Sequence, residues 1–404
     1  MNHGRTASVA LLLAGIVAAS VGAQQRPERM VVSSDPELAE IAEALLPELA
    51  DRSGLALKEP VRLERRSRVQ LVEYLRAKLD EELPPEQARA TVDAYALLGL
   101  VPPDLDLRSV LLGLYTEQVA GFYEPDSTAL FVMDDQPRED LEALLVHELV
   151  HAIQDQSADL SALTAPDVSS DRATAAQAAI EGHATLVMME FMAEQMMGVR
   201  LDLAMLPDFA EQLQPALDAM RSQFPELASA PRVVQESLLF PYLEGAGFVQ
   251  SLWTGGERLA PFGPYMPLST EQIMDRSLAD PPVELSLDVV GVPVVDDDVL
   301  GRLALGVFLD EHGGTGGEGV ADAWEGDHYV LVDTGEGTRG MVWYILWEDA
   351  SSRDRFVDLV SGALADFGVA ASVEPVSLEG GPGTVLRVGD VADVSVEVGI
   401  SETS

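Results

Sequence analysis

The stretch LEALLVHELVHAIQDQ, Leu141 to Gln156, holds two of the chain's six histidines four residues apart, with a glutamate between them. Apolar residues recur through it at three- and four-residue spacing, which predicts a helix. Pro137 stands at its start with Glu139 and Asp140 in the first turn, where the helix dipole favours acids. Successive helical residues advance by about 100°, so His147 and His151 point within about 40° of each other, one turn apart. Two neutral imidazoles placed in this way can share one tetrahedral cation. Glu148 falls to one side of both, close enough to take a proton from a water there without ligating the cation. The alternative is two half-buried histidines satisfied by hydrogen bonds. The single occurrence of the motif inside an apolar Leu-Val run favours Zn2+.

A catalytic zinc needs a third protein ligand and an open position. The pattern H-E-x-x-H-x-x-G-x-x-H is not met, because Gln154 stands at the glycine position and Ser157 at the last histidine. A later helix, about Asp171 to Val199 with Ser170 or Asp171 as N-cap, carries AAIEGHAT and offers Glu181 and His183. These two point about 200° apart, so only one can face the metal. Thr174, Ala178, Ala184 and Thr185 share the Glu181 side, and small residues there would let this helix approach the first one closely. Glu181 is therefore the expected ligand, and His183 is expected behind the ligands or facing substrate. Met188, Met192 and Met196 at helical spacing are expected to pack in the core.

Composition narrows the function classes. The chain has 404 residues, with 68 Asp plus Glu against 25 Lys plus Arg, a formal charge of −43. Such a surface repels nucleic acid and anionic lipid, so neither is an expected partner. There is no cysteine, which excludes disulfides, thiolate metal sites and cysteine nucleophiles. Arg5 followed by the apolar run Ala7 to Val21 and the small residues Val21-Gly22-Ala23 reads as a signal peptide over 1–23. The expectation is an exported, periplasmic or extracellular chain. An uncleaved N-terminal anchor is the other reading of the same run, and no stable membrane insertion is expected of the mature chain.

Along the chain, 24–115 reads as an N-terminal helical region, with helices over Pro36–Ala50 and Val69–Leu83. Residues 116–280 hold the motif helix and further helical segments, preceded by a short strand, Ala129–Met133. Ser269 and Gln272 have the spacing of a capping box. From about Pro281 the pattern changes to strands and hairpins around a helix at Ser352–Phe367, giving a separate C-terminal α+β domain over 281–404. The fold class expected for the whole is α+β.

With HELVHAIQD and a helical glutamate in AIEGHAT, the sequence resembles the gluzincin branch of zinc metallopeptidases, the thermolysin-like class. The resemblance implies a mainly helical zincin-like core over 116–280, with a short strand beside the active-site helix. It implies that His147, His151 and Glu181 hold the zinc and that Glu148 is the general base. Thr185 stands where thermolysin-like enzymes have an aspartate that orients a zinc histidine, and the interval from His151 to Glu181 is longer than in thermolysin. The strings GFYEP, HELVHAIQDQ, EGHAT, FPYLEGAGFV and P-x-STEQI are similar to those of poorly characterised exported bacterial proteins. The activity implied is hydrolysis of a peptide or protein substrate. His183, Tyr242 in FPYLEG and Tyr123 in GFYEP are the candidates for donating to the developing oxyanion. An exposed edge on Ala129–Met133 beside an open metal position would favour a peptidase, since a peptide can add to such an edge. A closed site would favour a non-catalytic zinc protein, or a binding or assembly factor in which the metal is structural.

Overall fold

The structure, a computed structural model, describes residues 29–206, 224–317, 319–335 and 337–402, and the expected signal peptide lies outside them. The fold is α+β. Among the described residues, no helix is long and apolar enough to cross a membrane.

The first sheet begins with β1 (Val31–Ser33), followed by helix α1 (Pro36–Ser53) and β2 (Val61–Arg66). Asp35 caps α1 by accepting from the Glu37 and Leu38 amides. The helix supplies the crossover that lets β1 and β2 pair in parallel. Helices α2 (Arg68–Glu82), α3 (Pro85–Leu97) and α4 (Leu107–Gln118) precede the hairpin of β3 (Gly121–Glu124) and β4 (Ala129–Met133). The sheet order is β1-β2-β4-β3, with β4 parallel to β2 and antiparallel to β3. Ala129–Met133 is thus not an exposed edge. It lies between two partners with all five residues buried, and β3 takes the outer position.

Helix α5 (Leu141–Asp155) lies on this sheet, and after a short helix α6 (Leu160–Leu163) comes α7 (Ser170–Met197). Ser169 holds the N-cap position of α7, not Ser170 or Asp171. Asp171 is buried in the first turn, where it accepts from the Thr270 amide and hydroxyl. Helix α8 (Pro225–Ser229) and the long α9 (Arg232–Trp253) follow, with a short helix α10 (Thr270–Met274). Ser269 caps α10 by accepting from the Gln272 amide, whereas the Gln272 side chain reaches back to the Leu268 amide, one residue beyond the box expected. Met188 and Met192 pack against the core of α1, α5, α7 and α9, but Met196 is 83% exposed.

The second sheet is built from β6 (Val294–Asp298), β7 (Trp324–Gly335), β8 (Thr338–Trp347), β9 (Ala371–Leu378) and β10 (Gly381–Val388), in the order β6-β7-β8-β10-β9. Both of its faces are buried. On β8, Met341, Trp343, Ile345 and Trp347 point into one core, and Val342, Tyr344 and Leu346 into another. The second of these lies under a ribbon of β5 (Val283–Val290) and β11 (Ser395–Glu402). The first is filled by α11 (Gly301–His312) and α12 (Ala350–Ala363), but also by Val92 and Ala94 from α3, Leu114 from α4 and Leu239 from α9. The expected boundaries at 115 and 280 therefore do not separate cores. Residues 29–115 contribute two strands to the first sheet and helices to the packing of the second, so the C-terminal strands share their core with earlier elements.

Candidate metal centre

On α5 the apolar residues Leu145, Val146, Leu149 and Ile153 are buried against the first sheet and its helices, which turns His147 and His151 toward α7. The two imidazoles meet edge to face with their Nε2 atoms 3.1 Å apart. Glu181 on α7 brings its Oε2 to 3.1 Å from His147 Nε2 and 3.5 Å from His151 Nε2. Zinc bonds to histidine and carboxylate are about 2.0–2.2 Å, so the edges of a tetrahedron of such ligands are roughly 3.3–3.6 Å. The three observed separations are close to that edge, and two neutral nitrogens with one carboxylate suit zinc better than calcium or magnesium. Electrostatics agrees. Burial disfavours a charged His151, but the Glu181 carboxylate outweighs it and raises the ring to about 9. Burial likewise pushes Glu181 up, yet His151 and His147 hold it well below the usual carboxylate range. The space between the three groups therefore favours positive charge. The residues fit the metal that the sequence led us to expect.

Glu148 is nearly buried, and its Oε2 accepts from the backbone N–H of Tyr123 at 2.9 Å. Edge strand β3 thus anchors the carboxylate beside the two histidines. The Tyr123 hydroxyl is committed elsewhere, donating to Asp155 Oδ2 at 2.8 Å, which takes this side chain out of the set of oxyanion donors. Gln156 accepts from the Lys58 and Glu59 amides and donates to the Glu59 carbonyl, tying the end of α5 to the entry of β2.

Gln154 is fully buried between α5 and α7. Its Nε2 donates to the Ile180 carbonyl at 3.0 Å and lies 3.0 Å from His183 Nδ1, while its Oε1 lies 2.8 Å from His151 Nδ1. His183 Nε2 in turn lies 3.0 Å from the Ser53 carbonyl at the end of α1. His183 is fully buried against Trp253 and Phe262, and burial lowers its pKa to about 4. With both ring nitrogens engaged and no surface open, it cannot face substrate. It lies on the far side of Gln154 from His151.

Tyr242 stands on α9 with its ring 6.4 Å from that of His147 and 37% of its surface exposed. The Glu181 carboxylate raises its pKa well above the ordinary value, with burial and Glu148 adding to the effect. What brings Tyr242 to Glu181 is the crossing of α7 and α9. A Cβ on Gly182 would stand 2.5 Å from the Ala246 amide nitrogen, and one on Gly245 would stand 2.7 Å from the Ala178 carbonyl carbon. The small residues around Glu181 were expected to admit α5. Ala178 and Gly182 instead admit α9, because the two backbones touch there.

One turn before Glu181 and Tyr242 lie Gln177 and Leu238, which line a pocket of about 210 Å³ together with Tyr95, Leu111, Tyr115 and Val234. No charged side chain lines it. A second grouping that could hold a cation, Asp280, Glu325 and Glu348, consists of carboxylates at the surface and has no neutral donor. Comparison with protein-family models, curated proteins and solved structures found no match for this chain.

Proposed function

We propose that this chain is a zinc-dependent metallopeptidase with a zincin-like core, exported as its N-terminal sequence suggests. The observation that carries the reading is the convergence of His147 Nε2, His151 Nε2 and Glu181 Oε2 at tetrahedral-edge separations, with the Glu148 carboxylate anchored beside them. Bound there, zinc would supply Lewis acidity toward water and a peptide carbonyl. Glu148, held through Oε2 by the Tyr123 amide, has Oε1 left to take a proton from the attacking water and return it to the leaving amine. Tyr242, whose ring lies 6.4 Å from that of His147, is the candidate donor to the carbonyl oxygen as negative charge builds on it. The uncharged pocket one turn away suits an apolar or aromatic substrate side chain, because a charged one would lose its hydration there without gaining a partner.

The test pairs metal analysis with peptide-library cleavage for wild type and Glu148→Gln. Stoichiometric zinc in both proteins, with cleavage lost only in the variant, is the expected result. Zinc in wild type with no cleavage across a broad library would leave a non-catalytic zinc protein. A folded wild type that takes up no zinc would remove the reading.

A further inference from the structure

We propose that Gln154 is the positioning residue of the metal centre: one buried amide sets the proton position of the ligand His151 and ties the backbone of the ligand Glu181. The proposal rests on the reading of His147, His151 and Glu181 as a zinc site. Its argument starts from a group that can act in only one way. The Ile180 carbonyl can only accept, so the Gln154 atom 3.0 Å from it must be the amide nitrogen. The Gln154 oxygen then faces His151 Nδ1 at 2.8 Å, and that nitrogen must carry the hydrogen. With its proton on Nδ1, His151 presents Nε2 toward His147 and Glu181.

The other hydrogen of the Gln154 amide faces His183 Nδ1 at 3.0 Å, which must accept. The His183 proton therefore sits on Nε2 and is donated to the Ser53 carbonyl at 3.0 Å. Two backbone carbonyls, Ile180 and Ser53, thus determine the direction of every hydrogen bond in a buried chain that ends at a metal ligand. Ile180 also immediately precedes Glu181, so the same amide that orients the His151 ring clamps the peptide carrying the third ligand. His147 has no such support, since among the described residues its Nδ1 has no partner.

The experiment measures zinc affinity of the full chain by competition with a chelator, using wild type and Gln154→Met, which keeps the volume and removes every hydrogen bond. Alongside it, long-range ¹⁵N–¹H spectra of histidine-labelled wild type report which ring nitrogens carry protons. A roughly 10–100-fold weaker zinc affinity in Gln154→Met is expected, with the fold retained by circular dichroism. The spectra should place a slowly exchanging proton on His151 Nδ1 and the His183 proton on Nε2. A side chain that only packs would leave zinc affinity unchanged while lowering the melting temperature. Equal zinc affinity in the two proteins overturns this proposal alone, and a wild type that takes up no zinc overturns the site reading with it. Should Gln154→Met fail to fold, the wild-type spectra decide. A His183 proton on Nδ1 would require the Gln154 amide to be reversed and overturns the assignment, whereas the Nε2 proton supports it.

Discussion

Replacing Gly245 by alanine tests whether the crossing of α7 and α9 sets the geometry of the metal centre. The new Cβ would stand 2.7 Å from the Ala178 carbonyl carbon and closer still to its oxygen. Carbon atoms rest in contact at about 3.5–4.0 Å, so the shortfall is roughly 1 Å, and backbone lies on both sides with no flexible side chain to yield. The helices must part by about that amount. Glu181 adjoins Gly182 at the crossing, and its Oε2 stands 3.1 Å from His147 Nε2. A displacement of about 1 Å takes the carboxylate beyond the roughly 0.2 Å tolerance of a metal–ligand bond. Overpacking costs about 1–3 kcal/mol, of which the better helix propensity of alanine offsets about 0.5–1. Gly245→Ala should therefore lose about 1–2 kcal/mol in urea denaturation and more than tenfold in zinc affinity by chelator competition. Gly362→Ala is the control. It lies on α12 with nothing within 4 Å of the added Cβ, and it should be neutral or stabilising by about 0.5–1 kcal/mol with zinc binding unchanged. A Gly245→Ala protein with wild-type stability and wild-type zinc affinity would refute both the tightness of the crossing and its hold on Glu181.

Two further predictions follow from the site and its surroundings. Tyr242→Phe should keep stoichiometric zinc and lose on the order of 10²-fold in kcat with little change in KM. A loss confined to KM would show that the hydroxyl binds ground state and transition state alike. Burial raises the pKa of Asp171 to about 7, against an ordinary value of 3.8. A raised carboxyl binds more protons folded than unfolded. Its contribution is therefore complete below about pH 4 and is lost as pH rises through about 7, at most about 4 kcal/mol. Asp171→Asn keeps an acceptor for the Thr270 amide and hydroxyl, so its stability should fall less than that of wild type between pH 4 and pH 8. Parallel pH profiles for the two proteins in urea denaturation would contradict that assignment.

How much could be read in advance depended on how local each feature was. The α5 and α7 helices, the pairing of His147 with His151, the side placement of Glu148 and the opposed directions of Glu181 and His183 all follow from a rotation of about 100° per residue. The roles of the tail Gln154-Asp155-Gln156 were not legible. Each of these side chains bonds to a partner distant in sequence: Ile180 and His183 for Gln154, Tyr123 for Asp155, and Lys58 and Glu59 for Gln156. The one available signal was that Gln154 lies three residues from His151 and so shares its face. Strands β1, β2 and β9 escaped notice, two of them for a related reason. Val31–Ser33 is three residues long, and the half-exposed β9 carries Pro375, so neither has a strong pattern of its own.

By itself, the sequence determined that two imidazoles share one helical stripe with a carboxylate to one side, that no thiol can compete for a metal, and that a second helix carries another carboxylate. Helical geometry and composition need no partner to be read. Only the tertiary structure decided that Ala129–Met133 is an inner strand, since edge or centre depends on β2, brought in from 67 residues earlier. It likewise decided that Gly182 and Gly245 set the helix crossing, and that His183 is buried beyond Gln154 from His151. These outcomes depend on contacts between distant segments, and only packing in three dimensions selects among the arrangements that the local pattern allows.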